Sequence, residues 1–350
     1  MSMGSKEETS MPDRAPVYTN DLADLRWLEV KASSATPTTF KGRNGVRLED
    51  GMVVVPNLEL ESGALQVEIA APGPSYPGVA FRIADDVNFE LAYGTPHASG
   101  LWDALQYDPV FRGSNTWQLH HGPGFQKKAS IPVGEWYDLT LEFREDKAWL
   151  CIGGQPPLFV PRLARPTRSG FIGLWTYRTA YFRDLKVYAG SDRGTPDGPQ
   201  AAAAAQDEIP ASPPDTLMEW LVPGHGAVKC EPHGILLLNR YFDQSLGQVA
   251  LSRTFVLERN TQVEMAFGFS DDLSLVLDGE IVFVGNNVFH GFADRAARGY
   301  VEHDAYRVSR AVAAGKHELL AKVRVTEGFG WGLALSLSAG GLELLPASFS

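Results

Sequence analysis

Leu-Trp-Asp-Ala-Leu-Gln-Tyr-Asp-Pro-Val (101–110), Asn-Thr-Trp-Gln-Leu-His-His (115–121), Gly-Glu-Trp-Tyr-Asp-Leu-Thr-Leu-Glu-Phe (134–143), Gly-Phe-Ile-Gly-Leu-Trp (170–175) and Tyr-Phe-Arg-Asp-Leu-Lys-Val (181–187) decide the fold class. Each is a short aromatic or branched run bounded by Gly, Pro or Asp, the composition of a β-strand. In 139–143 Leu139, Leu141 and Phe143 share one face and Thr140 and Glu142 the other, because successive strand side chains point to opposite sides. Regularly spaced short strands without a helical period predict a sandwich or jelly roll.

The same alternation runs outward in both directions. Strands are expected at 25–30, 45–49, 51–56, 63–69, 78–83 and 88–93. Val79, Phe81 and Ile83 are assigned to the core with Arg82 opposite; Phe89, Leu91 and Tyr93 are assigned to it with Glu90 opposite. Later, 249–257, 262–270, 316–326 and 331–337 alternate again, and Asp278-Gly279 inside 272–284 marks a two-residue hairpin turn. Residues 190–215 hold five consecutive alanines and several prolines and glycines, which reads as a linker. The expected organisation is therefore all-β: two β-sandwich (jelly-roll) domains, 15–189 and 216–350, joined by that Pro/Ala/Gly-rich linker, after a disordered 1–14.

With 350 residues there is room for two real cores. A formal net charge of −11 argues against partners held through phosphate, so neither nucleic acid nor an anionic membrane surface is expected. No apolar run approaches a membrane-spanning length, and the first residues lack the apolar segment of a secretory signal, so a cytoplasmic location is expected. The two cysteines, Cys151 and Cys230, fall in different halves and are expected to be unpaired.

Five pieces then carry a resemblance: Gly78-Val-Ala-Phe-Arg, Ala104-Leu-Gln-Tyr-Asp-Pro-Val, Trp117-Gln-Leu, Ile131-Pro-Val-Gly-Glu-Trp, and the tail Gly170-Phe-Ile-Gly-Leu-Trp with Ala180-Tyr-Phe-Arg-Asp-Leu-Lys-Val. Residues 25–188 resemble the concanavalin A-like, laminin-G-like jelly rolls of the 3-keto-disaccharide hydrolase-like family. The resemblance implies a two-sheet sandwich that meets sugar on its concave face. Phe269-Ser-Asp-Asp-Leu-Ser-Leu-Val-Leu-Asp-Gly-Glu-Ile-Val is similar to galactose-binding-like and protective-antigen-type sandwiches. There an Asp-Asp pair holds calcium, which implies Asp271 and Asp272 as Ca2+ ligands.

Sugars are held by aromatic faces and by planar polar groups that bond adjacent hydroxyls. The face opposite the first core is expected to supply Arg82, Glu90, Gln106, Gln118 and His120, with Trp102, Tyr107, Trp117, Trp175 and Tyr177 as stacking rings. The leading expectation is a carbohydrate-binding protein. One alternative is a hydrolase or lyase acting on 3-keto sugars, with Glu90, Asp103 or Asp108 as acid or base and Arg82 steadying an oxyanion. Another is a structural or adhesive module. The paired carboxylates of a retaining glycosidase are not present as a strand motif. His120 and His121 are neighbours on a supposed strand and so cannot readily share one metal ion.

Overall fold

The computed structural model describes residues 15–190, 208–292 and 294–347. The proposed disordered segment 1–14 and most of the proposed linker lie outside them. The chain forms two compact units. One takes the chain up to Val110 together with Gly122–Ile209; the other takes Phe111–His121 and the chain from Pro210 onward.

The all-β expectation holds: among the described residues the longest helical piece is the four-residue turn Arg295–Arg298. The first unit contains β1 (Tyr18–Asn20), β2 (Glu29–Phe40), β3 (Arg43–Leu60), β4 (Gly63–Ala70), β5 (Gly78–Asp85), β6 (Asn88–Gly94) and β7 (Leu105–Tyr107). It continues with β8 (Gln126–Lys127), β9 (Tyr137–Arg144), β10 (Lys147–Ile152), β11 (Leu158–Val160), β12 (Gly170–Thr176) and β13 (Ala180–Ala189). Their hydrogen-bonded order is β11-β10-β9-β4-β13-β3-β12-β5-β6-β7-β8, with β1 on β13 and β2 on β3.

Two strands expected at 45–49 and 51–56 are one long strand. β3 pairs with β13 through Val46–Leu48 and with β12 from Gly51 onward, so it carries the sheet from one layer into the other. Side chains from both ends of the order then meet in one core: Leu65, Leu139 and Phe143 from one layer, Val53, Val79 and Ile172 from the other. The β2–β3 hairpin turns through Lys41 and Gly42, both in the left-handed region (φ 48° and 73°), the geometry that favours glycine in two-residue hairpin loops.

The layer β3-β12-β5-β6 is apolar on its other face as well. Met52, Val54, Ala80, Ile83, Phe89, Leu91, Tyr93 and Val110 form a second buried cluster there. This corrects the assignment of β6. The alternation of Phe89, Leu91 and Tyr93 against Glu90 is present, but the apolar triplet faces the outer cluster, and Ala92 beside Glu90 faces the main core. A sheet buried on both faces gives period two without saying which side is inside.

In the second unit β14 (Glu219–Val222), β15 (Gly226–Lys229), β16 (Leu236–Leu237), β17 (Gln248–Leu257), β18 (Thr261–Ser270) and β19 (Asp272–Leu277) come first. Then follow β20 (Glu280–Asn286), β21 (Tyr306–Val312), β22 (Gly315–Arg324), β23 (Gly332–Ser338) and β24 (Leu342–Leu344). One sheet runs β15-β14-β17-β22-β19-β20 with β24 on β17; the other runs β16-β23-β18-β21. Val263, Met265, Phe267 and Phe269 of β18 pack with Leu273 and Leu275 of β19 and Trp331, Leu333 and Leu335. Asp278 and Gly279 make the expected turn (φ 50° and 86°).

Candidate functional site on the first unit

A transverse row crosses five strand pairings of the first unit. Met52 pairs with Trp175, Trp175 with Gly78, Gly78 with Tyr93, Tyr93 with Gln106, and Gln106 with Gln126. Gly78 is the gap in the row. A Cβ there would lie 2.5 Å from the Tyr93 Cβ, so only glycine lets Tyr93 and Trp175 meet, with ring centroids 5.8 Å apart. The Tyr93 hydroxyl donates to Gln106 Oε1 (3.2 Å), which also accepts from Gln126 Nε2 (3.3 Å). A second Tyr93 contact reaches Asp108 Oδ2 at 3.4 Å.

More rings continue the row toward solvent. Tyr76 lies 6.0 Å from Tyr93, 4.9 Å from His97 and 5.7 Å from Tyr177. Tyr177 is 51% exposed, Trp175 is partly exposed, and Gln106 is 5% exposed. The arrangement is thus a ring surface open at Tyr76, Trp175 and Tyr177 and backed by buried amides. Of the residues singled out in the sequence, Gln106, Trp175 and Tyr177 come together here; Tyr76, Tyr93 and Gln126 join them. Gly78 as the first residue of a predicted strand was the available signal, since a strand glycine marks a close approach.

Arg82 and Glu90 belong elsewhere, which corrects their placement on a solvent-facing polar surface. Both are buried, at 2% and 0% exposure. Glu90 Oε2 accepts from the Tyr107 hydroxyl (2.7 Å), and Oε1 accepts from the Arg165 backbone N–H (3.1 Å). Tyr107 in turn accepts from the Ala164 N–H at 2.6 Å. The network ties the 163–165 loop to β6 and β7. Burial pushes the Glu90 carboxyl above the usual carboxylate range, opposed by these hydrogen bonds and by Arg165 and Arg82.

Arg82 sits at a break in register between β5 and β6, with φ 46°. Its guanidinium lies 5.6 Å from the Phe143 ring centroid. Nη2 donates to the carbonyl of Glu61 (2.9 Å) and to that of Glu145, so the side chain caps two hairpin turns. Burial lowers its pKa, and Glu90 pulls it back up. Tyr107, offered above as a stacking ring, is 1% exposed and part of the main core.

Trp117, Gln118 and His120 are not on the first unit at all. Asn115–His121 makes no strand: the N–H groups of Leu119 and His120 both bond Thr116 O at 2.9 Å, and the segment packs within the second unit. Gln118 is fully buried there. It donates to Arg298 O (3.2 Å) and Glu327 Oε2 (3.1 Å) and accepts from Ser270 Oγ (2.7 Å). Leu119 fills a slot that a Cβ on Gly330 or Gly332 would close, each at 2.3 Å. Trp117 packs with Phe289, Tyr300 and Phe329 at 5.3–5.9 Å. Sequence parity failed here because an aromatic run can fold as a turn when distant glycines receive it.

His120 bonds Thr116 Oγ1 (2.9 Å) and lies 6.2 Å from His233. His121 stacks on Tyr300 at 4.4 Å and contacts Val301 O at 3.1 Å. His303 reaches His233 O at 2.8 Å. Burial, then neighbouring positive charge, pulls His120 well below its ordinary pKa and His121 and His233 down to about 4.

Asp271 is also fully buried. Its Oδ1 accepts from Ser270 Oγ (2.7 Å); Oδ2 accepts from Thr326 Oγ1 (3.0 Å), Glu327 N–H (2.6 Å) and Thr326 N–H. Asp272 points elsewhere, to Asn286 Nδ2 (2.6 Å) and Arg324 (3.8 Å). Asp271 lies between β18 and β19 and Asp272 opens β19, and the two carboxylates bond different partners. Among the described residues no group of three His, Cys, Asp or Glu side chains is arranged to hold a metal.

No protein-family model and no curated protein matches the chain. Solved structures similar to it include the carbohydrate binding module CBM66 from Bacillus subtilis, at 14% identity over 47% of this chain and 96% of that one (TM-score 0.38). A protein of unknown function with a galectin-like fold, also from Bacillus subtilis, is 12% identical over 51% of this chain and 98% of that one (TM-score 0.38). Chicken galectin 2 is 10% identical over 37% and 94% (TM-score 0.29). No described helix is long and apolar enough to cross a membrane.

Proposed function

We propose that this chain is a carbohydrate-binding β protein whose first unit takes a saccharide on the open end of the Trp175 row. The carrying observation is the register Trp175–Gly78–Tyr93–Gln106, which lines aromatic faces and amides across adjacent strands without a Cβ between the rings. Pyranose C–H faces stack on Tyr76, Trp175 and Tyr177. Tyr93, held by Gln106, fixes the position of the Trp175 ring.

A catalytic reading through Arg82 and Glu90 has no such support. A glycoside acid or base must reach the substrate oxygen, and both side chains are spent inside the sandwich.

Isothermal titration against cello-, xylo-, laminari- and malto-oligosaccharides tests the reading. Trp175→Ala and Tyr177→Ala are expected to weaken binding to at least one of them roughly tenfold each, the loss of one good stacking contact. Failure of every neutral saccharide to bind, or unchanged affinity in both variants, overturns it.

A further inference from the structure

A depression of about 460 Å³ opens at another place on the first unit, where β1 meets β13. Asn20, Asp21, Asp24, Trp27, Asp184 and Lys186 line it. That volume lies within the range of small-ligand clefts, about 300–1,000 Å³. Trp27 is 77% exposed, more than any other large apolar side chain among the described residues. Burying such a ring on a ligand yields apolar stabilisation that water now denies it.

The loop presenting Trp27 is built, not merely exposed. Leu22 adopts a left-handed conformation (φ 62°) and inserts fully into the first core. Asn20 Oδ1 accepts from the Leu22 N–H (2.7 Å), and its Nδ2 donates to the Tyr18 hydroxyl (3.0 Å). Asp21 and Asp24 close successive turns by accepting from the N–H groups of Ala23 and Arg26, each at 3.0 Å. Leu25 and Leu28, on either side of Trp27, pack against the core. Opposite, Thr19 pairs with Lys186, and β13 slips register after Arg183, with Asp184 at φ 52°.

The charges select the ligand class. Asp24 is paired with Arg26 (2.5 Å) and Asp184 with Arg183 (2.9 Å). Asp21 and Lys186 add one carboxylate and one ammonium to the lining, the Lys186 charge also acting on Asp138. With two of its three carboxylates matched by arginines, the lining offers a strong acceptor and a strong donor beside an indole face. A neutral, hydroxyl-rich ligand matches that set.

We propose that this depression is a second saccharide site, with a pyranose stacked on Trp27 and its hydroxyls bonded to Asp21 and Lys186. It shares its ligand class with the reading above but none of its residues, so the two can fail separately. The test follows the Trp27 indole signal in the full chain, labelled with 15N-tryptophan and identified by Trp27→Phe. The probes are the same neutral oligosaccharides, with tetramethylammonium as a cationic control. The expected result is a saturable shift of that signal with at least one neutral oligosaccharide. Trp27→Ala is expected to weaken the corresponding titration roughly tenfold. Asp21→Ala is expected to weaken it, and Trp175→Ala to leave the Trp27 shift intact. A signal unmoved by every saccharide at millimolar concentration, or moved by tetramethylammonium alone, overturns the proposal. So does loss of the Trp27 shift in Trp175→Ala. Saccharide affinity lost in Trp175→Ala but kept in Trp27→Ala removes this site and leaves the Trp175 row standing; the converse removes the row and leaves this site.

Discussion

Glu90 in the first unit and Asp271 in the second are both fully buried carboxylates, and they are held in different ways. Glu90 receives two donors, one on each oxygen, and burial outweighs them, so its carboxyl is pushed toward the protonated form. Asp271 receives four donors, three of them from the consecutive residues Thr326 and Glu327. The first carboxyl ties one loop to two strands. The second organises the chain that leaves β22. Each carries the residue type expected of a reactive or metal-binding group, yet in both cases the surrounding donors account for the oxygens. Acidic character in a strand is therefore weak evidence of chemistry until its donors are counted.

The largest effect is expected at Asp271. Asp271→Ala takes the acceptor from the Thr326 and Glu327 N–H groups and is expected to cost about 2–4 kcal/mol, each donor left unmade being worth about 1–3. Denaturant unfolding followed in the second unit measures it. Addition of calcium or chelator to the unsubstituted protein is expected to leave its melting temperature unchanged; a rise of several degrees with calcium would give Asp271 a ligand after all.

The next effect separates the units by pH. His120, His121, His233 and His303 of the second unit are held below their ordinary pKa, chiefly by burial. The unfolded chain then binds more protons than the folded one between about pH 6.5 and 4. Stability from these groups is complete above the unfolded value and is lost as pH falls through that window. Glu90 works in the opposite sense. Its folded pKa is raised, so the folded state holds the extra proton, and stability falls as pH rises from the unfolded value of about 4.5 through the folded one. Unfolding curves collected from pH 4 to 8 with a probe in each unit are expected to slope in opposite directions there; parallel slopes would remove the contrast.

Glu90→Gln is the smallest of the three. The amide keeps an acceptor for Tyr107 but turns a donor toward the Arg165 N–H, an expected loss of about 1–3 kcal/mol. It is also expected to remove the first unit's decline in stability above the unfolded carboxylate pKa. A variant that retains that decline would assign it to another group, of which Asp138, also raised by burial, is the first to examine.

Much of the fold was legible along the chain. Leu65, Val67 and Ile69, Leu139, Leu141 and Phe143, and the β18 set Val263 to Phe269 all face the cores that their alternation predicts. Asp278-Gly279 turns as its dipeptide demands. The site was less legible. Gln106, Trp175 and Tyr177 meet on one surface, but Arg82 and Glu90 turn inward, and Trp117, Gln118 and His120 join the other unit. Trp27 lies in a segment read as a strand; in the structure β2 begins only at Glu29, and turns hold the indole outward.

What the amino-acid sequence determined by itself was local: strand period, turn positions and the all-β class, because backbone sterics and side-chain alternation act over a few neighbouring residues. Which face of β6 lies inward and which unit receives 111–121 were decided only in three dimensions. Both depend on partners far along the chain: a second apolar layer over one sheet face, and the glycines at 330 and 332 that make room for Leu119.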